Sequence, residues 1–85
     1  SLRGVPERLS AYLLHVSDQE KGAAEFELGI KKGLLANLLG TTGESVSRVF
    51  AKMTQAGLIR VNGKRIAILD RRALADVAAA KRALD

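Results

Sequence analysis

Two charged side chains near the middle of the chain have the types and the spacing to contact DNA bases. Glu44 and Arg48 are four residues apart, so on a helix both project from the same side. An arginine can donate two hydrogen bonds to guanine O6 and N7, and a glutamate can accept one from cytosine N4. The same spacing also suits an ordinary intrahelical ion pair, and from these two residues alone both interpretations stay open.

The element that must position this pair is predicted to be a helix over residues 43–56. At about 100° per residue, the segment sorts into one apolar side and one polar side. The apolar side consists of Val46, Val49, Phe50, Met53 and Ala56, and the polar side of Glu44, Ser45, Ser47, Arg48, Lys52 and Gln55. The first side must be buried, and the second would suit the major groove of DNA.

A second helix and a tight turn are predicted directly before it. Leu34, Leu35, Leu38 and Leu39 suggest a compact helix that uses its leucines as core, and Gly40 suits its end. Thr41 and Thr42 then offer a hydroxyl cap for the next helix, and Thr41 with Glu44 has the capping-box spacing.

The remaining elements complete a mainly α, or α+β, winged helix-turn-helix. This fold has a three-helix core, a β-hairpin wing and a C-terminal helix. Lys64 and Arg65 are expected at the wing tip, and Phe26, Leu28 and Ile30 are expected to face inward. The pattern predicts a helix over 6–17, a strand over 25–30, strands over 58–61 and 64–69 joined by a two-residue Asn62–Gly63 turn, and a helix over 71–84 capped by Asp70.

Length and charge indicate one small domain, residues 1–85, with an anionic partner. Residues 1–40 carry five basic and five acidic side chains, whereas residues 41–85 carry nine basic and four acidic ones. The net charge of +5 therefore lies entirely in the half with the polar helix face. Charge alone leaves an ordinary solvated surface equally open.

Residue types argue against an enzyme. The chain has no cysteine and one histidine, His15, so it cannot form a thiol site, a cysteine-containing metal site or a two-histidine arrangement. Its glycines match no phosphate-binding fingerprint. We expect no catalytic residue, metal site or cofactor in this domain. No apolar run approaches the ~18 residues that span a bilayer, so a cytoplasmic location without membrane contact is expected.

Five further polar side chains are candidates for contacts to DNA phosphates. Such contacts hold a domain on the duplex without reading its sequence. The candidates are Lys32, Thr42, Ser45, Lys52 and Lys64.

The segment LLANLLGTTGESVSRVFAKMTQAGLIRVNGKRIAILD resembles the C-terminal DNA-binding domain of the Crp/Fnr family of transcription regulators. The similarity extends to the PERLSAYLL helix and to the strand before the first motif helix. It implies that Glu44 and Arg48 read bases, that Ser47 joins them as in the Fnr-like branch, and that the half-site resembles TTGAT in an inverted repeat. Thr42, Ser45, Lys32 and Lys64 fall where family members touch phosphates.

The resemblance also implies partners outside this segment. A family member would be a bacterial homodimer with an N-terminal sensor and a dimerisation helix, acting on double-stranded DNA with RNA polymerase as a further partner. Two positions depart from the family pattern. Gly43 stands where the cyclic-AMP-type members carry a third base-reading Arg, and Lys31 stands where a Thr or Ser commonly caps the first motif helix. The alternative function is a winged helix that binds an acidic protein without sequence-specific DNA binding.

Overall fold

The computed structural model describes residues 4–84, which form four helices and a three-stranded antiparallel sheet. In chain order the elements are α1 (Val5–Gln19), β1 (Glu25–Glu27), α2 (Lys32–Leu38), α3 (Gly43–Gln55), β2 (Ile59–Asn62), β3 (Arg65–Ile68) and α4 (Arg71–Ala78). This order, with a hairpin after α3, confirms the predicted winged helix-turn-helix fold. Residues 1–3 and 85 of the predicted domain lie outside the described part of the chain.

Helix α1 extends slightly beyond the predicted 6–17 segment at both ends. The Glu7 carboxylate accepts a hydrogen bond from the Gly4 backbone N–H at 2.6 Å, which occupies an amide at the start of the helix. Leu9 and Leu13, one helical turn apart, are fully buried. Burial of two leucines contributes roughly 3–6 kcal/mol and holds α1 against the rest of the core.

The end of α1 is tied to the start of α4. The Arg71 guanidinium donates to Asp18 Oδ1 at 2.6 Å and to Ser17 Oγ at 2.8 Å. The Ser17 hydroxyl donates in turn to the Ala23 carbonyl at 2.6 Å. These bonds tie together two helices that also pack against each other.

The sheet has the order β1-β3-β2, so the hairpin strand β3 lies in the centre. Phe26 and Ile66 pair across it and are buried, whereas Glu25 and Glu27 are exposed on the other face. β1 is shorter than the predicted strand over 25–30, because its last residue, Glu27, already pairs with Arg65, the first residue of β3. Leu28 and Ile30 lie beyond β1 and remain partly buried against the core, as their predicted inward orientation requires.

The hairpin turn lies one residue later than predicted. Asn62 pairs with Arg65, so the two-residue loop is Gly63–Lys64, with Gly63 at φ +59°. Lys64 has no positive φ, and glycine at the first central position is the pattern of a type II′ turn. The observed register places Val61 opposite Ile66. A turn at Asn62–Gly63 would have placed Lys64 opposite Val61, so the observed register gives Val61 an apolar cross-strand neighbour, Ile66, in place of a lysine.

Of the four leucines predicted for this helix, only two belong to the core, and one of these, Leu39, directly follows α2. Leu35 and Leu39 are buried, but 60% of Leu34 and 61% of Leu38 is exposed. The prediction that all four form core is therefore wrong. Neighbouring residues on a helix are rotated by about 100°, so a seven-residue helix with one packed side cannot bury both pairs.

Helix α4 is capped as predicted but ends earlier. Asp70 Oδ1 accepts a hydrogen bond from the Ala73 N–H at 3.0 Å. The helix stops at Ala78 rather than at residue 84, because Ala80 adopts φ +59° and turns the chain. Leu84 is still buried, through this turn rather than through a helical face.

Candidate nucleic-acid interface

Helix α3 is held at both ends by its own sequence. Thr42 Oγ1 accepts a hydrogen bond from the Ser45 N–H at 3.1 Å, which makes Thr42 the N-cap. The predicted Thr41–Glu44 capping box is therefore wrong by one residue, since Glu44 is the second residue of the helix. At the other end Gly57 has φ +76° and turns the chain toward β2.

The apolar side of α3 packs as the periodicity predicts. Val46, Val49 and Met53 are buried, and Phe50 is partly buried at the edge of the core. Ala56 is exposed, because it follows the last residue of the helix rather than lying on its packed side. The polar side is left facing solvent along the whole length of α3.

Glu44 and Arg48 form an ion pair in the free domain. Arg48 Nη2 lies 3.2 Å from Glu44 Oε1, and the side chains are 63% and 85% exposed for Arg48 and Glu44 respectively. An exposed pair of this kind stabilises a helix by only about 0.3–0.5 kcal/mol. Both groups are therefore accessible to a ligand, and breaking the pair costs little.

Ser47 faces a different direction from this pair. It is partly exposed and lines a groove between α3, the loop before α2 and the hairpin, which we call the wing groove. The surrounding residues are Glu27, Leu28, Gly29, Ile30, Lys31, Lys32, Leu35, Ser47, Phe50, Ala51, Thr54, Val61, Gly63, Lys64 and Ile66. The three base-reading candidates thus span the exposed side of α3 from the ion pair to the groove.

Two of the phosphate candidates meet at the wing groove. Lys32 begins α2 and Lys64 lies in the hairpin turn, 32 positions apart in the sequence, yet both line the same groove. Lys31 lines it as well, a position that sequence reasoning considered only as a poor helix cap. It indeed makes no side-chain capping bond to α2. Because Lys31 directly precedes the phosphate candidate Lys32, the sequence could have indicated that both lysines lie near the same surface.

The other three phosphate candidates do not line the groove. Thr42 and Ser45 lie at the start of α3, where the Thr42 hydroxyl also donates to Ser45 Oγ at 3.1 Å. Lys52 is exposed on the same side of α3 as Ser45, about 20° away around the helix. The candidates therefore form two groups, one on each side of the Glu44–Arg48 pair.

Arg65 directly follows the hairpin turn and is exposed, as predicted, but its guanidinium is paired with a carboxylate. Its Nε donates to Glu25 Oε1 at 3.0 Å, and Arg60 Nη2 lies 3.8 Å from the other oxygen of the same carboxylate. These pairs connect β1 with both strands of the hairpin on the outer face of the sheet. Lys64 is therefore the cation that the turn itself presents.

The described residues also bear on metal binding and on membrane insertion. Within residues 4–84 no group of three or more His, Asp or Glu side chains is placed to hold a metal ion. None of the helices in this range is both long and apolar enough to cross a bilayer.

Comparison with known proteins identifies the family. The model of the Crp-like helix-turn-helix domain matches residues 7–77. The chain belongs to the Crp-like helix-turn-helix family. This confirms the resemblance found in the sequence.

Relatives of this Crp-like domain are regulators rather than enzymes. It is 34% identical to the fumarate and nitrate reduction regulatory protein of Escherichia coli K12, over 92% of the chain and 33% of that protein. It is 35% identical to the transcriptional activator protein anr of Pseudomonas aeruginosa, over 82% of the chain and 30% of that protein. A Crp/Fnr-family structure from Eubacterium rectale superposes with a TM-score of 0.75 at 28% identity, covering 93% of the chain and 34% of that protein. The chain thus spans about a third of the length of these proteins.

Proposed function

We propose that this domain binds double-stranded DNA with sequence preference, as the output domain of a bacterial transcription regulator. The observation that supports it best is that the exposed Glu44–Arg48 pair on α3 has potential phosphate-binding side chains on both sides, lysines on one side and hydroxyl groups on the other. Lys31, Lys32 and Lys64 flank it at the wing groove, and Thr42 and Ser45 flank it at the helix start. Helix-turn-helix domains insert the N-terminal part of such a helix into the major groove.

In this arrangement Glu44, Ser47 and Arg48 contact bases. Arg48 donates to guanine and Glu44 accepts from cytosine, after their mutual ion pair opens. Lys32 and Lys64 contact phosphates on one side of the helix, and Thr42, Ser45 and Lys52 do so on the other. The half-site is TTGAT-like, and the target is an inverted repeat.

We further propose that the functional unit is a homodimer that binds two half-sites about 34–36 Å apart, one turn of the duplex. Sensor and dimerisation segments would lie in the remaining two thirds of a protein of the relatives' length. RNA polymerase would then be contacted at the promoter, and the cytoplasm is the compartment where these partners meet.

Sequence selection tests this proposal. The 85-residue chain is incubated with random duplex DNA at about 150 mM salt, where nonspecific electrostatic binding is weakened. We expect enrichment of TTGAT-like sites. The E44A/R48A double variant should lose this enrichment, and Lys81→Ala, which removes an exposed charge beyond the end of α4, should keep it.

Absence of any enriched sequence would contradict the proposal. In that case a titration with random DNA at two salt concentrations shows whether duplex binding exists at all. A domain that binds protein instead would show no preference among sequences, and the alternative function would replace the first.

A further inference from the structure

The wing groove is larger and more apolar than contact with a DNA backbone requires. Its volume is about 630 Å³, within the range of pockets that hold small organic molecules. Its apolar lining consists of Leu28, Ile30, Leu35, Phe50, Ala51, Val61 and Ile66. Phosphates are held by cations and hydrogen-bond donors, which this floor does not supply.

The rim of the groove carries cations without acidic partners. Among residues 4–84, the ion pairs involve Arg48, Arg60, Arg65 and Arg71, and none involves a lysine. Lys31, Lys32 and Lys64 all line the groove, against one carboxylate, Glu27. The groove therefore combines an apolar floor with an excess of positive charge at its edge.

We propose that the wing groove binds an amphipathic organic anion. Its apolar body would lie on Leu28, Phe50 and Val61, which line the groove and keep accessible surface, and its single carboxylate, sulfonate or phosphate would lie near Lys31 and Lys64. Burial of the apolar body supplies most of the affinity, and the lysines select for negative charge. This site goes beyond DNA binding.

Occupancy of the groove would also oppose DNA binding, a consequence that rests on the function proposed above. Ser47 and Lys64 line the groove and are proposed DNA contacts. A bound anion would cover the Ser47 side of α3 and neutralise Lys64, so ligand and duplex compete for the same residues.

A matched pair of fluorescent probes tests the site. The anion 1-anilinonaphthalene-8-sulfonate and the neutral N-phenyl-1-naphthylamine share their aromatic body and differ in the sulfonate. We expect saturable binding of the anion to the 85-residue chain and at least about tenfold weaker binding of the neutral probe, a difference of 1.4 kcal/mol. Amide chemical shifts should change around residues 27–32, 47–54 and 61–66.

Three variants separate the contributions to probe binding of a lysine in the groove, of the net charge of the domain and of the apolar floor. Lys64→Gln should weaken binding of the anion about two- to fivefold and leave the neutral probe unchanged. Lys81→Gln removes the same charge outside the groove and should have no effect. Val61→Thr, at a partly exposed position of the hairpin, should weaken both probes.

Three results would overturn the proposal: equal affinity for the two probes, equal losses in the Lys64→Gln and Lys81→Gln variants, or shift changes centred on the exposed Leu34–Leu38 pair. DNA binding is measured first without probe, and a selected duplex is then expected to displace the anion. If the chain binds DNA selectively but no anion in the groove, only this inference fails. If the anion binds there but DNA shows no sequence preference, the proposed function fails and the site stands.

Discussion

At the scale of single residues, the Glu44–Arg48 ion pair of the free domain is compatible with the proposed contacts of both side chains to DNA bases. In the free domain each side chain satisfies the charge of the other at 3.2 Å, in contact with water. Since the pair is worth only about 0.3–0.5 kcal/mol, a bidentate contact to guanine worth about 1–3 kcal/mol can replace it.

Arg48→Ala should therefore affect recognition more than stability. We expect affinity for the selected site to fall by about 1–3 kcal/mol, with a smaller loss on random duplex. The free energy of unfolding should change by less than about 0.5 kcal/mol. Fluorescence anisotropy with both duplexes at one salt concentration measures the first effect, and urea unfolding the second. Arg72→Ala, an exposed arginine on α4, is the control, and equal losses on both duplexes would refute base reading by Arg48.

Two buried serines on α1 have opposite surroundings. Ser10 and Ser17 are both fully buried. Ser17 accepts from Arg71 and donates to the Ala23 carbonyl. The Ser10 hydroxyl is the buried side-chain group, within the described residues, that has no hydrogen-bond partner. A buried hydrogen-bond donor without a partner lowers the free energy of unfolding by about 1–3 kcal/mol, whereas a donor with a partner does not carry this penalty.

Replacing these serines by alanine should accordingly have opposite effects. Ser10→Ala removes an unsatisfied hydroxyl and should raise the free energy of unfolding by about 0.5–1.5 kcal/mol. Ser17→Ala breaks two hydrogen bonds and should lower it by about 1–3 kcal/mol. Thermal unfolding measures both, since 1 kcal/mol corresponds to about 4–8 °C in a domain of this size. Destabilisation by Ser10→Ala would mean that its hydroxyl has a partner, such as a buried water.

At the scale of elements, all four helices end with the same hydrogen-bond pattern. The residue in the left-handed conformation bonds to a carbonyl three residues back, and the next residue bonds to one five residues back. The left-handed residues are Lys21, Gly40, Gly57 and Ala80. The two ends that flank the turns around α3 thus use glycine, and the other two use residues with a Cβ, at a conformational cost of about 1–2 kcal/mol each.

Ala80→Gly should relieve part of this cost. We expect the free energy of unfolding to rise by about 0.5–1 kcal/mol, because glycine adopts positive φ freely but loses more entropy on folding. Ala75→Gly, at an exposed position within α4, should instead lower it by about 0.5–1 kcal/mol. Urea unfolding of both variants gives the comparison. If both substitutions destabilise to the same extent, the left-handed turn after α4 is not strained.

At the scale of the whole molecule, the fold brings three lysines from distant parts of the sequence together. Lys64, from the basic second half of the chain, meets Lys31 and Lys32 of the neutral half at the wing groove. Meanwhile Glu25 and Asp18, also from the neutral half, pair with arginines of the basic half. Arg60, Arg65 and Arg71 thus have carboxylate partners in the folded domain. Within the described residues the three groove lysines do not, so their charge is available to a polyanion.

The salt dependence of DNA binding reports on these lysines. Lys64→Ala should weaken binding to all duplexes similarly and reduce the slope of log K against log salt by about one unit. Lys81→Ala changes net charge equally but should leave the slope unchanged. Titrations between about 50 and 200 mM salt determine both slopes. Identical slopes for the two variants would place Lys64 outside the phosphate contacts.

The sequence by itself determined the features that depend on local periodicity and capping. The two faces of α3, the Asp70 cap, the glycine-terminated turns around α3 and the order of elements follow from interactions within a few residues. These interactions act in any context, so they can be inferred without coordinates. The family resemblance rests on the same segment, and the match over residues 7–77 confirms it.

Only the tertiary structure decided what depends on distant partners. Leu34 and Leu38 are exposed because packing reaches one side of α2, although all four leucines have the same chemistry. The hairpin turn lies at Gly63–Lys64 because the register of β2 and β3 pairs Val61 with Ile66 rather than with Lys64. The wing groove exists because residues from β1 to β3 meet around α3. Periodicity specifies which side of an element is apolar, but burial and charge clustering arise only when separate elements pack together.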